Sequence, residues 1–115
     1  MAATLPKSER LCGLTAIAGL MDHGKGGTAG CLRYKYLPSE GVSRILVSVP
    51  KRNFKRAVKR NLLKRRIRES YRLQKNLLTA PVDVMFIYQG REVLPFADIY
   101  ASMTASLTEI AEKRV

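Results

Sequence analysis

The positive charge of the chain is concentrated in one run, KRNFKRAVKRNLLKRRIRESYRLQK, which spans residues 51–75. Twelve of the 21 lysine and arginine residues lie in this run, together with a single acidic residue, Glu69. The formal net charge of the chain is +12, and the remainder of the sequence is nearly neutral. Ammonium and guanidinium groups bind phosphate oxygens, so this run predicts binding of a polyanion, either a nucleic acid or an anionic membrane surface.

Few other residues could carry chemistry. His23 is the only histidine, and Cys12 and Cys31 are far apart in sequence with no partner at metal-binding spacing. No carboxylates are spaced for acid–base work or for holding a metal. The sequence therefore predicts no catalytic residue, no metal site and no nuclease activity of the protein alone. The start of the chain lacks a secretory signal, so we expect a cytoplasmic protein with reduced cysteines.

The basic run must be positioned by a helix. At about 100° per residue, one half of the helix circumference is apolar, with Val58, Leu62, Leu63, Ile67, Leu73 and Leu77. The opposite arc is polar and mostly cationic, with Arg60, Asn61, Lys64, Arg65, Arg68, Arg72 and Lys75. Lys59 and Arg66 point toward the apolar side, so either the margin of that face is partly open or their stems extend along it to bring the charges to solvent. The pattern predicts an amphipathic helix over residues 56–76.

The remaining segments predict a small sheet with helices. We expect a helix at residues 14–23, a flexible turn at 24–30 and two strands at 31–37 and 42–49. A central strand follows at residues 81–90 and a final helix at 96–113. The short turn between the first two strands favours an antiparallel pair. Together with the basic helix, the elements predict a single α+β domain over residues 1–115. It is a two-layer sandwich of order αββ(β)αβα with about four strands, and residues 1–7 form a flexible arm.

The nature of the polyanion is the next question, because many charged helix faces are simply solvated. Arg60, Lys64 and Arg68 follow one another at i,i+4 spacing, with only Glu69 nearby to offset them. Such like-charge pairs destabilise a helix by about 0.2–0.5 kcal/mol each, which favours a charged partner over a merely solvated face. A membrane-surface helix or a localisation signal is a weaker alternative, because the apolar face is needed for the core. RNA is favoured over DNA, because no companion helix suggests a major-groove reader.

The segment AVKRNLLKRRIRES, residues 57–70, resembles the signature of the protein subunit of bacterial ribonuclease P. The matching residues are Arg60-Asn61, Lys64-Arg65 and Arg68. The strand LVSV followed by Lys51-Arg52 is also similar to the family pattern, as is the N-terminal KSERL. The resemblance covers about residues 7–113.

The resemblance implies that the chain assists an endoribonuclease whose catalytic component is RNA. The holoenzyme removes the 5′ leader of precursor tRNA, with Mg²⁺ required by the RNA-containing complex and no cofactor on the protein. The implied partners are ribonuclease P RNA and the leader, and neither a membrane nor DNA is expected. In the family, the basic helix forms a left-handed crossover between parallel strands, against the usual hand. A structural RNA-binding protein of ribosomal type is the alternative.

The resemblance also implies which residues bind. The residues expected to contact RNA are Lys51, Arg52, Lys55, Arg56, Lys59, Arg60, Asn61, Lys64, Arg65, Arg68 and Arg72. The family's leader cleft presents aromatic side chains from its first helix, but this chain has Ile17 and Met21 there. We therefore expect either Tyr34 or Tyr36 to face the cleft instead. The segment 52–56 is about one residue longer than the usual connection.

Overall fold

The computed structural model describes residues 9–11 and 13–114, so the predicted arm over residues 1–7 and Cys12 lie outside the described part. The elements in chain order are α1 (Leu14–His23), β1 (Lys25–Ala29), β2 (Leu32–Pro38), β3 (Arg44–Ser48), α2 (Ala57–Gln74), a short 3₁₀ turn (Lys75–Leu77), β4 (Val82–Tyr88) and α3 (Phe96–Arg114). This order confirms the predicted α+β class, including the three helices and a four-stranded sheet.

The sheet is mixed, with strand order β1-β2-β4-β3. Strand β4 pairs antiparallel with β2 on one side and parallel with β3 on the other. The predicted antiparallel pair of β2 and β3 is therefore wrong. Most of the side chains in β4 are buried, and a strand of this kind belongs in the centre of a sheet, where both its edges are hydrogen-bonded. Strand β4 occupies that position and separates β2 from β3.

The glycine-rich segment 24–30, predicted as a flexible turn, contains strand β1, so that prediction is wrong. Gly27 pairs in register with Tyr34 of β2. A Cβ atom at Gly27 would collide with the Tyr34 hydroxyl. Glycine is needed here because the tyrosine ring lies across the strand. Only Gly30, in the turn that follows, has a positive φ within this segment, at 57°.

The two faces of the sheet are covered by different helices. Helices α2 and α3 form the helical layer on one face, packing on alternate strand residues such as Tyr36, Val47 and Phe86. Helix α1 lies on the other face, where Leu20 packs with Met85. The alternation of side chains along each strand assigns each strand residue to one face.

Helix α2 connects β3 to β4, which lie side by side and parallel. This parallel β–α–β arrangement agrees with the one that the family resemblance implies, and its left-handedness stays a prediction. Strand β3 ends at Ser48, and the basic segment begins at Lys51, three residues later. The topology therefore places the end of β3, the connecting loop and α2 along one side of the molecule.

Candidate nucleic-acid interface

Helix α2 is fixed to the sheet by one line of buried residues. Leu63, Ile67 and Tyr71 are at most 1% exposed and lie one helical turn apart. Ser70 and Gln74 complete this buried face, where the Ser70 hydroxyl donates to the Ile67 carbonyl at 2.8 Å. Because the buried residues occupy one narrow face of α2, the residues on the other faces of the helix are exposed to solvent or partly so.

The predicted apolar half of α2 is only partly buried. Val58, Leu73 and Leu77 are exposed, Val58 to 78%, so their predicted place in the core is wrong. Val58 lies in the first turn, and the two leucines lie outside the line through Ile67. Polar Ser70 and Gln74 take core positions instead, because each of them hydrogen-bonds to main-chain carbonyls.

The cationic surface of α2 comprises Asn61, Lys64, Arg65 and Arg68. Asn61 and Arg65 are exposed, whereas Lys64 and Arg68 are partly buried. Within the described part of the chain, none of the three cations forms a hydrogen bond or an ion pair with another residue. Their charges are consequently free to meet an external anion, as the sequence predicts.

Two other predicted RNA contacts are engaged within the protein. Arg60 Nη1 donates to the carbonyl oxygens of Phe54 and Lys55 at 2.7 and 2.9 Å. Arg72 forms a bidentate ion pair with Glu69, with Nε to Oε1 at 2.8 Å and Nη2 to Oε2 at 3.0 Å. Arg60 ties the preceding loop to α2, and Arg72 is neutralised locally. Their roles as RNA contacts stay predictions.

The basic loop, residues 50–56, presents its cations around one buried anchor. Lys51, Arg52, Lys55 and Arg56 are all exposed. Phe54 is 4% exposed, and its ring centroid lies 5.8 Å from that of Tyr88. The buried ring fixes the loop to the core, so these charges project from a defined main chain.

The two cations predicted at the margin of the apolar face differ from each other. Arg66 is partly buried, and its Nη1 donates to the Leu94 carbonyl at 2.7 Å. This bond confirms that Arg66 points toward the neighbouring structure rather than away from it. Lys59 is exposed and stays a predicted RNA contact.

The electrostatics of Arg68 differ from those of the rest of the cationic surface. Burial, together with the nearby charge of Arg10, lowers the pKa of the Arg68 guanidinium. The ordinary pKa of arginine is so high that the group keeps its charge at neutral pH. Arg68 is therefore a partly desolvated cation, and such a cation gains more from an anion than a fully hydrated one does.

Neither tyrosine of β2 faces the cleft between α1 and the sheet, so that prediction is wrong. Tyr34 and Tyr36 are two positions apart and therefore share one face, and each is 1% exposed in the core under α2 and α3. The Tyr34 hydroxyl donates to Glu109 Oε1 at 2.6 Å. Burial and this hydrogen bond raise the pKa of Tyr34, which keeps the hydroxyl neutral.

On the α1 side of the sheet, sequence reasoning missed the residues that line the open surface. The strand register places Arg33, Ile87 and Ser48 side by side across β2, β4 and β3. Arg33 is exposed, and the other two are partly buried. The row combines a cation, an aliphatic group and a hydroxyl, and it lies where β3 leads toward the basic loop. The alternation of β2 could have identified Arg33, once the tyrosines are assigned to the core.

The two residues predicted to line the cleft from α1 differ in exposure. Ile17 is partly buried against the cluster around Leu20. Met21 is 47% exposed, and its carbonyl accepts a hydrogen bond from Lys35 Nζ at 2.6 Å. This bond holds the end of α1 to β2. Contact with a leader stays a prediction for both residues.

The described part of the chain offers few groups for other chemistry. It contains no group of three or more histidine, cysteine and acidic residues that could hold a metal ion. Cys31 is buried and its Sγ donates to Ser102 Oγ at 3.3 Å. Among the described residues, no helix has the length and apolar character needed to cross a membrane.

Comparisons with known proteins agree with this geometry. The family model described as Ribonuclease P matches residues 5–111. The ribonuclease P protein component of Porphyromonas gingivalis is 39% identical over 118 aligned positions, covering 93% of this chain and 86% of that protein. The ribonuclease P protein component of Chlorobaculum tepidum is 39% identical over 82 positions, covering 65% of this chain and 53% of that protein.

Solved structures resemble the fold as a whole. The RNase P protein of Staphylococcus aureus aligns with a TM-score of 0.77 and 22% identity, covering 92% of this chain and 97% of that chain. The RNase P protein of Thermotoga maritima aligns with a TM-score of 0.78 and 22% identity, covering 89% and 97%. At this level of identity, the likeness establishes the shared architecture.

Proposed function

The chain belongs to the ribonuclease P protein family, and on this premise we propose that it is the protein subunit of a ribonuclease P, a ribonucleoprotein that removes the 5′ leader from precursor tRNA. In this proposal, the RNA subunit performs the cleavage and holds the Mg²⁺ that cleavage requires. The protein binds that RNA and the leader in the cytoplasm, where precursor tRNA is made.

The observation that carries this proposal is the set of cations on α2 that have no hydrogen-bond or ion-pair partner within the described part of the chain. Lys64, Arg65 and Arg68 project from a helix whose other side is fixed by Leu63 and Ile67. Because the main chain of the helix is already fixed, only the lysine and arginine side chains lose conformational freedom when this row of cations neutralises several phosphates. Such binding releases counterions, so the logarithm of the binding constant is expected to fall linearly with the logarithm of the salt concentration. The slope is about 0.7–0.9 for each phosphate contact.

The basic loop extends this surface toward the open face of the sheet. The end of β3 carries Ser48 into the row with Ile87 and Arg33. We propose that the leader crosses this row. Ile87 supplies an apolar floor, the Ser48 hydroxyl can bond the sugar–phosphate chain, and the planar guanidinium of Arg33 can stack on an unpaired base. This arrangement does not need the aromatic rings of the family pattern.

Reconstitution tests the proposal. The protein is added to a bacterial ribonuclease P RNA, and cleavage of precursor tRNA is measured over a series of Mg²⁺ concentrations. We expect stimulation at low Mg²⁺, because protein cations replace part of the metal charge that the RNA assembly needs. Absence of stimulation, with RNA binding retained, would favour the alternative of a structural RNA-binding protein of ribosomal type.

The control for this experiment is a variant of matched charge change. Lys25 lies on β1, at the edge of the sheet opposite to β3, and is exposed. Lys25→Gln removes one positive charge far from the cationic surface. The Lys25→Gln protein is expected to stimulate cleavage as the wild type does. With the Arg65→Gln protein, a higher Mg²⁺ concentration is expected to be needed for the same cleavage rate. Equal behaviour of the two variants would contradict the assignment of the cationic surface.

A further inference from the structure

A pocket lies at the end of the molecule where the parallel strands β3 and β4 begin. It has a volume of about 390 Å³, and sites for small molecules span about 300–1,000 Å³. Val42, Leu78 and Pro81 form its apolar wall. The basic loop follows the other end of β3, so the pocket is a separate feature of the surface.

Tyr71 reaches this pocket from the buried face of α2. The residue is 1% exposed, and within the described part of the chain its hydroxyl forms no hydrogen bond. Burial and the charge of Glu9 raise the pKa of this hydroxyl, so it stays protonated at neutral pH and can donate a hydrogen bond. Because buried hydroxyls are normally paired, this one points to a group that enters the pocket.

Glu9 contributes a carboxylate to the pocket. The residue is only 9% exposed, and its Oε1 lies 2.8 Å from Lys75 Nζ. Among the described residues, Oε2 has no hydrogen-bond partner. The main chain beside Glu9 is fixed, because the Leu11 amide donates to the Ile45 carbonyl at 2.8 Å and Arg10 forms a parallel bridge with Ile45. The carboxylate is therefore held at a defined place, with acceptor sites left free.

The charges around the pocket narrow the class of ligand. The net charge of +12 on the chain disfavours a cationic ligand, and the Glu9 carboxylate repels a phosphate. Lys75 follows Arg68 by seven residues, about two helical turns, so the pocket adjoins the flank of α2 that carries the cationic surface. A polyanion bound on that flank can place an uncharged group in the pocket, and in RNA that group is a base.

The carboxylate of Glu9 distinguishes between the bases. Guanine presents two adjacent donors on its Watson–Crick edge, the N1–H and the N2 amine, and these match the two oxygens of one carboxylate. Adenine and cytosine place a ring-nitrogen lone pair beside their amine, and uracil has carbonyl oxygens on both sides of its N–H. Each of these three bases therefore sets an acceptor against Glu9. The O6 carbonyl of guanine, next to N1, can accept a hydrogen bond from the Tyr71 hydroxyl.

We propose that this pocket binds one unpaired guanine base of an RNA. Glu9 accepts hydrogen bonds from N1–H and the N2 amine, Tyr71 donates to O6, and the ring packs on the wall formed by Leu78 and Pro81. Proteins that recognise RNA sequence bind unstacked bases through such contacts to the Watson–Crick edge. The inference rests on the proposed function for RNA as the source of the base, and it adds a base-specific contact to the phosphate contacts proposed for α2.

The test uses nucleosides, which carry no phosphate and therefore separate base binding from the binding of an anion. The backbone amide resonances of Tyr71, Thr79 and Ala80 are followed by NMR while guanosine, inosine or adenosine is added to the free protein. Guanosine is expected to shift these resonances. Inosine lacks the N2 amine and is expected to shift them several-fold less at the same concentration, and adenosine to leave them nearly unchanged. Equal shifts with guanosine and adenosine, or no shift with guanosine, would overturn the site.

Glu9→Gln is the decisive variant, because it changes which base the pocket matches. An amide side chain offers one acceptor and one donor, which suit adenine rather than guanine. The variant is therefore expected to lose the guanosine response and to gain a response to adenosine, and a pocket that failed to fold cannot give such a gain. Glu112→Gln removes an exposed carboxylate from α3 and is the matched control, expected to respond as the wild type does. Retention of the guanosine preference by Glu9→Gln would contradict the role of the carboxylate.

A second experiment asks whether the base belongs to ribonuclease P RNA. Kethoxal modifies N1 and N2 of unpaired guanines, the two atoms assigned to Glu9. The wild-type protein is expected to protect one unpaired guanine of this RNA, and Glu9→Gln, at a concentration that saturates the RNA, to leave the same guanine reactive. Identical kethoxal patterns with the two proteins would overturn this RNA as the source of the base. If the wild type does not stimulate cleavage, the proposed function fails, while the nucleoside titration still decides the pocket.

Discussion

The Tyr34 hydroxyl on β2 donates a hydrogen bond of 2.6 Å to the Glu109 carboxylate on α3. Lys113 Nζ lies 3.2 Å from the same hydroxyl, and the tyrosine ring lies over Gly27. The ring therefore joins β1, β2 and α3 on the face of the sheet that is turned away from α1. This tyrosine stabilises the fold and does not reach the cleft.

Tyr34→Phe is expected to lower the free energy of unfolding by about 1–2 kcal/mol, because the Glu109 carboxylate loses its donor. The same variant is expected to bind precursor tRNA in the holoenzyme with unchanged affinity. Urea denaturation and a precursor-binding titration measure the two effects. Tyr100→Phe, which alters a half-exposed tyrosine on α3, is the control and is expected to change neither. A selective loss of leader binding by Tyr34→Phe would contradict its place in the core.

Arg65→Gln and Arg68→Gln are expected to weaken binding to ribonuclease P RNA and to lower the salt slope by about 0.7–0.9 each. Arg72→Gln is expected to have a smaller effect, because Glu69 already neutralises Arg72 in the free protein. Affinity is measured at several salt concentrations, with Lys25→Gln as the charge control. A larger loss of RNA affinity in Arg72→Gln than in Arg65→Gln would contradict the assignment of Arg65 to the RNA-binding surface and of Arg72 to a local ion pair.

Arg60→Gln is expected to destabilise the protein itself, by about 1–3 kcal/mol. Its guanidinium donates to the carbonyls of Phe54 and Lys55, and loss of a charged donor leaves both without this partner. Arg65→Gln removes the same charge from an exposed position and is expected to change stability very little. Thermal unfolding of the two variants, without RNA, makes the comparison. Equal melting temperatures would show that the Arg60 contacts contribute nothing.

Much of this architecture follows from sequence pattern, because α2 combines an apolar line with an opposite cationic arc. That pattern correctly predicted the helix and the exposure of Arg65. It misplaced Val58 because helical periodicity does not show where the core ends. The expectation that one of Tyr34 and Tyr36 faces the cleft was wrong because residues two positions apart on a strand share a face, and alternation does not show which face is the core.

Other features depend on contacts between distant parts of the chain. Strand β1 contains two glycines and has low strand propensity, and the ring of Tyr34 explains the glycine at position 27. The ion pair between Glu9 and Lys75 joins residues far apart in sequence and requires both the N-terminal segment and the end of α2 to be in place. Periodicity within one segment contains no information about such pairs.

Raising the pH above 10 is expected to destabilise the protein through Tyr71. Burial and the charge of Glu9 raise the pKa of this hydroxyl to about 12, whereas in the unfolded chain it is near 10. Its stabilising contribution is fully present below pH 10 and is lost as the pH rises through 12. The loss amounts to about 1.4 kcal/mol for each pH unit in which only the unfolded chain is ionised.

Tyr71→Phe removes this titration, so its free energy of unfolding is expected to depend less steeply on pH between 10 and 12. Urea denaturation at a series of pH values measures the difference in slope, which separates this group from lysines that titrate in both proteins. Tyr100→Phe serves again as the control and is expected to keep the wild-type slope. Identical slopes for wild type and Tyr71→Phe would contradict the raised pKa.

Arg33→Gln is expected to weaken holoenzyme binding of precursor tRNA by about tenfold, while binding of mature tRNA stays unchanged. The reason is that Arg33 lies beside Ile87 and Ser48 on the open sheet surface, where only the leader is proposed to pass. Met21→Phe adds a ring at an exposed position of α1 and is expected to strengthen precursor binding, since stacking on a base is worth about 1–3 kcal/mol. Titrations with leaders of increasing length measure both effects, and Lys25→Gln controls for charge. If Arg33→Gln weakens precursor and mature tRNA equally, the leader does not cross this row.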